Sequence, residues 1–163
     1  MKFFATLPLS IAAVAAQDPL PFPPITAPTE ALAKFASDAF QEIFFQLHGN
    51  QNLPEAIDKY ISPSFSITAN GVFIPYAPWR ENILIQNETF SELVMTDERV
   101  IVVPADDQGL TGQAVHLANI TGIEKGLGRF KADCMSNFKI GLKADGKSMV
   151  IESGDGIAAL RAV

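Results

Sequence analysis

The 163-residue chain has little of the chemistry that holds small domains together or forms metal sites, with one Cys, one Trp, two Tyr and two His. A single cysteine excludes an internal disulfide and a cysteine-rich zinc site, and the sequence contains no recognisable metal-ligand spacing. Basic residues are also few: 12 Lys and Arg against 18 Asp and Glu give a net charge of −6. Because such a chain repels phosphate backbones, we expect no nucleic-acid partner.

Long hydrophobic runs are absent except at the N-terminus, where residues 1–16 are predicted to be a signal peptide. Lys2 precedes an apolar run from Phe3 to Ala13, and small residues follow up to Ala16, as signal peptidase requires. The alternative is a buried N-terminal strand or helix. No other run approaches the about 18 apolar residues of a membrane span. The sequence therefore predicts a secreted, extracellular protein without a membrane span and without a cofactor.

Two tripeptides match the acceptor pattern for N-linked glycans, Asn87-Glu88-Thr89 and Asn119-Ile120-Thr121. On a secretory route both would be glycosylated, and the pattern therefore predicts glycans at Asn87 and Asn119. Each tripeptide also has an ordinary interpretation, as a surface turn in the first case and a plain strand in the second.

Proline concentrates in residues 17–28, which contain five of the 11 prolines. Proline fixes φ and removes the backbone donor, so this segment is predicted to be an extended leader. It could be a plain linker or a recognition segment for a polyproline-binding partner. Residues 29–157 are predicted to form one domain, and residues 158–163 a C-terminal tail.

Hydrophobic periodicity within 29–157 predicts three helices and then a strand-rich half. Helices are predicted from Thr29, Leu53 and Pro78, and strands over 65–68, 72–74, 92–103, 110–121, 126–143 and 148–153. Asn70-Gly71 and Asp145-Gly146 are tight-turn signals. The resulting class is α+β, with three helices packed on an antiparallel sheet of four to six strands.

The long first helix, the passage Tyr60-Ile61-Ser62-Pro63-Ser64-Phe65, the turn Asn70-Gly71 and a late hairpin at Asp145-Gly146-Lys147 carry a family resemblance. From about Thr29 to Gly156 the chain resembles the nuclear-transport-factor-2-like (NTF2-like) superfamily in its SnoaL-like, polyketide-cyclase-like branch. The resemblance implies a cone made of a curved sheet and three helices, with a pocket at its wide end. Members include cyclases, dehydratases, isomerases and binding modules without catalysis. In size, leader and fold the chain also resembles secreted fungal elicitors of the plant hypersensitive response.

The resemblance directs attention to a pocket. Of the 12 Phe, Phe3 and Phe4 lie in the predicted signal peptide, and the other ten predict apolar walls. His116 is the candidate general base, since burial can bring a titratable side chain to a working pKa. If Asn119 faces outward, the strand alternation turns His116 inward; if it does not, His116 could lie on the surface. The residues expected to line the pocket are Phe40, Phe44, Tyr60, Trp79, His116, Phe130 and Phe138.

Two functions remain open from the sequence. The first is a non-catalytic effector or elicitor of plant defence that binds a host surface component or a small apolar molecule, as a monomer or homodimer. The second is a cofactor-free cyclase, isomerase or dehydratase that uses His116 as its base. Cys134 is expected to be a buried, inert thiol.

Overall fold

The structure is a computed structural model that describes residues 27–44, 47–126 and 128–162. The predicted signal peptide (1–16) and all but the last two residues of the predicted leader (17–28) lie outside these residues. Within the described part of the chain, no helix combines the length and apolarity that crossing a membrane requires.

Three helices lie on one side of the sheet: α1 (Ala27–Ile43), α2 (Leu53–Tyr60) and α3 (Tyr76–Thr89). Helix α1 buries one stripe, which includes Leu32, Ala36, Ala39, Phe40 and Ile43, as its period of about 3.6 requires. Helix α2 has a proline in its first turn, where a missing N–H has no cost. Helix α3 begins before the predicted Pro78 and buries Trp79 and Ile83.

Six strands in the described residues form one sheet. They are β1 (Ile61–Ala69), β2 (Val72–Pro75), β3 (Phe90–Pro104), β4 (Gly112–Glu124), β5 (Gly128–Leu142) and β6 (Met149–Ala162). Their order across the sheet is β2-β1-β6-β5-β4-β3. The predicted turn between β1 and β2 is confirmed, because Asn70 and Gly71 have φ values of 48° and 80°, as a two-residue hairpin needs.

The sheet is mixed, which corrects the prediction of an antiparallel sheet. Strand β1 pairs in parallel with β6 through Ser66↔Ser153 to Ala69↔Gly156, whereas the other ladders are antiparallel. Alternating burial determines which face a residue joins, but it carries no information on the direction of the neighbouring strand. The sequence pattern therefore predicts which face of the sheet each residue joins, but it does not predict whether neighbouring strands are parallel or antiparallel.

The last strand is longer than predicted, so the predicted domain end at 157 and the tail at 158–163 are corrected. Strand β6 continues to Ala162 and pairs with β5 as far as Phe130↔Ala162. Its Gly154-Asp155-Gly156 passage has the composition of a turn, yet it remains extended. Gly154 serves packing there, because a Cβ at this position would lie 2.7 Å from Cδ1 of Phe138.

The strands separate the domain into an inner side, under the helices, and an outer side. The alternation predicted for 126–143 is confirmed in β5: Phe130, Ala132, Phe138 and Ile140 are buried, and the residues between them are mostly exposed. The core lies between these inner positions and the buried stripes of the helices. Residues of α1, of α3 and of the inner face of the sheet line a cavity in this arrangement.

Candidate functional site

A cavity of ≈ 310 Å³ lies between α1, α3 and the inner face of the sheet. Side chains of Phe, Leu, Ile, Trp, Met and Ala form most of its wall. The polar side chains that reach it belong to Asn70, Asn82, Gln86, His116 and Ser136. Among the described residues lining this cavity there is no Asp, Glu, Lys or Arg, so its interior carries no permanent charge.

His116 lies in the wall of this cavity because β4 alternates. Gly112, Ala114, His116 and Ala118 are buried on the inner face, while Gln113 and Asn119 are exposed on the outer face. His116 is 5% exposed, and its ring stacks on that of Phe40 with centroids 4.0 Å apart and planes at 22°. Helix α1 thus covers one side of the imidazole with an aromatic ring.

Glu98 approaches the same imidazole from β3. Its Oε1 lies 3.6 Å from Nε2 of His116, and its Oε2 is 3.4 Å from the side-chain nitrogen of Gln41, which donates to it. Glu98 comes two residues before Val100, the partner of His116 in the β3–β4 ladder, and beside the register shift between Thr96 and Arg99, so alternation from Val100 turns its side chain toward the inner face. The carboxylate therefore reaches the edge of the histidine ring.

Burial controls the ionisation of both groups. Desolvation lowers the pKa of His116 to about 4, so the imidazole is neutral at neutral pH. Burial also raises the pKa of Glu98, against a smaller lowering by the hydrogen bond from Gln41. A neutral imidazole can donate one hydrogen bond and accept another, which suits recognition of a neutral polar group on an otherwise apolar molecule.

Most of the predicted pocket residues come together around this cavity. Its wall includes Phe40, Phe44, Trp79, His116, Phe130 and Phe138. The half-buried Cys134 also lines it, and burial raises the pKa of its thiol. Its low thiolate fraction makes it a poor nucleophile.

Tyr60 is not part of the cavity wall, which corrects its assignment to the pocket. It is the last residue of α2, and it packs against Phe35 of α1 with ring centroids 5.5 Å apart. Its hydroxyl donates to Oε1 of Glu42 at 2.6 Å. A buried tyrosine needs a partner for its O–H, and this partner lies on α1, away from the cavity.

The two predicted glycan acceptors have different surroundings. Asn87 is half-buried in α3, where its Oδ1 accepts from the backbone N–H of Asn50 at 2.9 Å. Its Nδ2 donates to the backbone carbonyl of Asn50 at 3.1 Å. Asn119 is exposed on the outer face of β4.

The sequence interpretation missed Glu98, Asn82, Gln86 and Ser136. Ser136 could have been found, because it shares the inner face of β5 with Phe138. Glu98 had a weaker signal, the polar run Thr96-Asp97-Glu98-Arg99 inside an apolar strand, which can indicate a bulge. A possible metal site finds no support within the described ranges, where no three His, Cys, Asp or Glu residues are grouped to hold an ion.

The chain matches no protein-family profile and no curated protein sequence. Its structure is similar to that of an NTF2-like protein of unknown function from Pseudomonas aeruginosa, with 13% identity, a TM-score of 0.53 and 77% of this chain and 96% of that chain covered. It is similar to a type 2 hexachlorocyclohexane dehydrochlorinase, LinA, with 13% identity, a TM-score of 0.59 and 83% and 91% covered. It is also similar to the BvnE pinacolase from Penicillium brevicompactum, with 10% identity, a TM-score of 0.56 and 80% and 84% covered. These likenesses show that the chain has the NTF2-like fold.

Proposed function

We propose that the protein binds a small, neutral, mainly apolar molecule in its cavity, and that it acts outside the cell as an effector of plant defence without catalysis. The observation that carries the binding function is the ≈ 310 Å³ cavity, whose wall is mainly apolar and includes the neutral His116. Cavities of this size, with a few polar groups among apolar walls, are typical ligand sites.

The composition of the wall selects the ligand. An ionic ligand would lose its hydration without gaining a counter-charge, because the described cavity residues include no Asp, Glu, Lys or Arg. A flat or cyclic apolar body suits the rings of Phe40, Phe44 and Trp79. One hydroxyl or carbonyl on that body could pair with His116 or with Ser136.

The effector role rests on the sequence. The predicted signal peptide (1–16) and the likeness to secreted elicitors support an extracellular site of action on a plant host. The pKa of His116, about 4, also favours binding over catalysis, because so weak a base gains little driving force for removing a proton from carbon.

A second candidate is a cofactor-free lyase or isomerase. It is favoured by Glu98, 3.6 Å from Nε2 of His116, since a carboxylate there would stabilise the imidazolium that forms when the ring takes a proton. The dehydrochlorinase and the pinacolase that share the fold are enzymes. In this chain, the ring of Phe40 stacked on His116 limits the approach of a substrate from that side.

Binding can be tested with the neutral fluorophore N-phenyl-1-naphthylamine. We expect saturable fluorescence enhancement with the wild-type protein and at least a tenfold weaker Kd for Ala132→Val, which fills the cavity from β5. The matched control is Ala105→Val, at an exposed position outside the cavity, which should leave Kd unchanged. Equal Kd values for the three proteins, with melting curves that show all three folded, would overturn the binding site.

Catalysis can be tested with 2-tetralone, a neutral bicyclic ketone with exchangeable α-hydrogens. Deuterium uptake in D₂O, followed by NMR, should be no faster with the protein than in buffer. Uptake that depends on protein and disappears in His116→Gln would contradict the non-catalytic proposal. Loss of most of that rate in Glu98→Gln would then establish the second candidate.

The effector role has a separate test, which is infiltration of the purified protein into leaves. The folded wild-type protein is expected to cause necrosis or an oxidative burst, and the heat-denatured protein is expected to cause neither. The Ala132→Val variant reports whether the response needs the cavity. Absence of any response from the folded protein would remove the effector role and leave the binding function intact.

A further inference from the structure

A second concavity lies on the outer face of the sheet and shares four lining residues with the cavity, which are Asn70, Cys134, Ile157 and Ala158. This outer groove, with a volume of ≈ 800 Å³, is lined by Leu117, Asn119, Met135, Ile157 and neighbouring residues of β3 to β6. Three of these residues form one cross-strand row, because Leu117 pairs with Met135 and Met135 pairs with Ile157. Met135 and Ile157 are 45% and 56% exposed, so an apolar row faces solvent in the middle of the sheet.

Asn119 stands directly beside this apolar row. It pairs with Asp133 in the row adjacent to Leu117 and Met135, and it is exposed. In the extended chain, Asn119 and Thr121 share the outer face while Ile120 lines the cavity inside, as the alternation of a strand requires. The acceptor tripeptide therefore presents its asparagine and its threonine on the side of the groove.

We propose that Asn119 carries an N-linked glycan whose first N-acetylglucosamine lies in the outer groove and covers the row Leu117, Met135 and Ile157. The inference rests on the secretion included in the proposed function, because the acceptor pattern is used only on that route. In the transfer, Nδ2 of Asn119 bonds to the anomeric carbon of a lipid diphosphate-linked oligosaccharide. The carbon–oxygen bond to the diphosphate breaks, the lipid diphosphate leaves, and Nδ2 gives up one proton.

The groove fits such a sugar on two grounds. A pyranose ring has a face made of C–H groups, and its burial on an aliphatic row removes apolar surface of both partners from water. Its hydroxyl and acetamido groups need polar partners, and Arg99, Asp133 and Asn70 line the same groove.

The second acceptor provides a matched comparison. Asn87 lies on α3, and the cavity that it lines at the protein surface includes Asn50, Phe90 and Lys125 and none of the apolar row. A glycan there would leave the outer groove uncovered. Removal of each acceptor through its threonine, with Thr89→Ala or Thr121→Ala, keeps both asparagines in place.

Occupancy is tested on the full chain secreted from yeast, once with its native N-terminus and once behind a heterologous signal peptide. Peptide mass mapping after enzymatic release of glycans in ¹⁸O-water labels each formerly occupied asparagine. We expect label at Asn119 in the wild type and in Thr89→Ala, and none at Asn119 in Thr121→Ala. Secreted protein with an unmodified Asn119 would overturn the proposal.

The position of the sugar is tested by peroxide oxidation of Met135, which turns its thioether into a sulfoxide. We expect Met135 to oxidise at least threefold faster in Thr121→Ala than in the wild type or in Thr89→Ala. Protection should persist after an endoglycosidase has trimmed the glycan to its first sugar. Met149, which is half-buried outside the groove, should oxidise at one rate throughout.

Two other outcomes are decisive. Equal rates of Met135 oxidation in the glycosylated protein and in Thr121→Ala would show that the sugar does not cover the row. The same result is expected if a second copy of the chain, rather than the glycan, protects Met135. Retention of the native chain inside the cell, with glycosylation only behind the heterologous signal, would overturn the proposed secretion and with it the glycan of the natural protein. The heterologous arm distinguishes this result from failure of Asn119 as an acceptor.

Discussion

The inner and outer faces of the sheet are built from alternate residues of the same strands, yet they differ in burial and in charge. On the inner face, the small residue Ala132 is buried and lines the cavity together with Phe40 and Phe138. On the outer face, larger side chains such as Met135 and Ile157 remain partly in water. The inner face is thus the side on which helices cover the sheet, and the outer face stays open to water.

Charge separates the two faces as well. Outside, Lys139 and Glu152 form an ion pair at 2.8 Å, with the side chain of Lys139 65% exposed and that of Glu152 35% exposed. Inside, His116 loses its charge because burial lowers its pKa to about 4. Since desolvation penalises the charged form, the helices that enclose the cavity also determine its electrostatics.

The largest expected effect comes from removing the ring that covers His116. Phe40→Ala should lower the unfolding free energy by about 3–5 kcal/mol, because Phe40 is 1% exposed and also lies 5.3 Å from the ring of Phe138. Urea denaturation measures this loss. Phe73→Ala is the matched control: Phe73 is 67% exposed, and its loss should change stability by less than about 0.5 kcal/mol. Similar losses of unfolding free energy in Phe40→Ala and Phe73→Ala would contradict the proposed difference between the buried inner position and the exposed one.

The second effect depends on pH and tests the buried neutral imidazole. Between the ordinary pKa of 6.5 and the folded pKa of about 4, the unfolded chain binds a proton that the folded chain does not. His116 therefore destabilises the fold progressively as the pH falls from 6.5 to 4, by up to about 3 kcal/mol, and it has no pH-dependent effect above this range.

The check is the difference between the pH profiles of the wild type and His116→Gln, measured by urea denaturation from pH 8 to pH 4. Burial raises the pKa of Glu98, which works in the opposite direction, but Glu98 is present in both proteins. We expect the two profiles to be parallel above pH 6.5 and to converge below it, or to cross. Parallel profiles down to pH 4 would show that His116 has the same pKa in the folded and the unfolded chain.

A smaller effect distinguishes two glycines of β6 on the inner face. A Cβ at Gly154 would lie 2.7 Å from Phe138 Cδ1, whereas at Gly156 the nearest atom would be Ser136 Oγ at 3.3 Å. Gly154→Ala should cost about 1–3 kcal/mol through overpacking, and Gly156→Ala should cost less than about 1 kcal/mol. Thermal denaturation compares them, and equal shifts in Tm would show that Phe138 can move aside.

The difference between the two faces also explains which parts of the fold could be predicted from the sequence. Periodicity identified α1, the strands and the inward positions of β5, because burial on one face acts residue by residue. It could not predict the parallel pairing of β1 with β6, which depends on the path of the chain. Periodicity also ended the predicted last strand before Gly154. A glycine that allows close packing cannot be distinguished in the sequence from a glycine that forms a turn.

The site was predicted to a similar degree. Six of the aromatic and histidine residues expected around a pocket line the cavity, since apolar inward positions meet at the centre of a cone. Tyr60 packs on the other side of α1 because its hydroxyl needs Glu42 as partner. Glu98 was missed because the register shift between Thr96 and Arg99 changes which residues of β3 face inward, so the face predicted for Glu98 depends on the end of the strand from which the alternation is counted.

The smallest expected effect lies on the outer face. The pair Lys139–Glu152 should contribute about 0–1 kcal/mol, because water screens exposed ion pairs. A double-mutant cycle with Lys139→Met and Glu152→Gln isolates the coupling, and added salt should reduce it further. A coupling above about 2 kcal/mol that salt does not alter would mean that these two charges are shielded from water. Such a result would locate a cover on the outer face even in protein without glycan, and it would remove the contrast between the two faces.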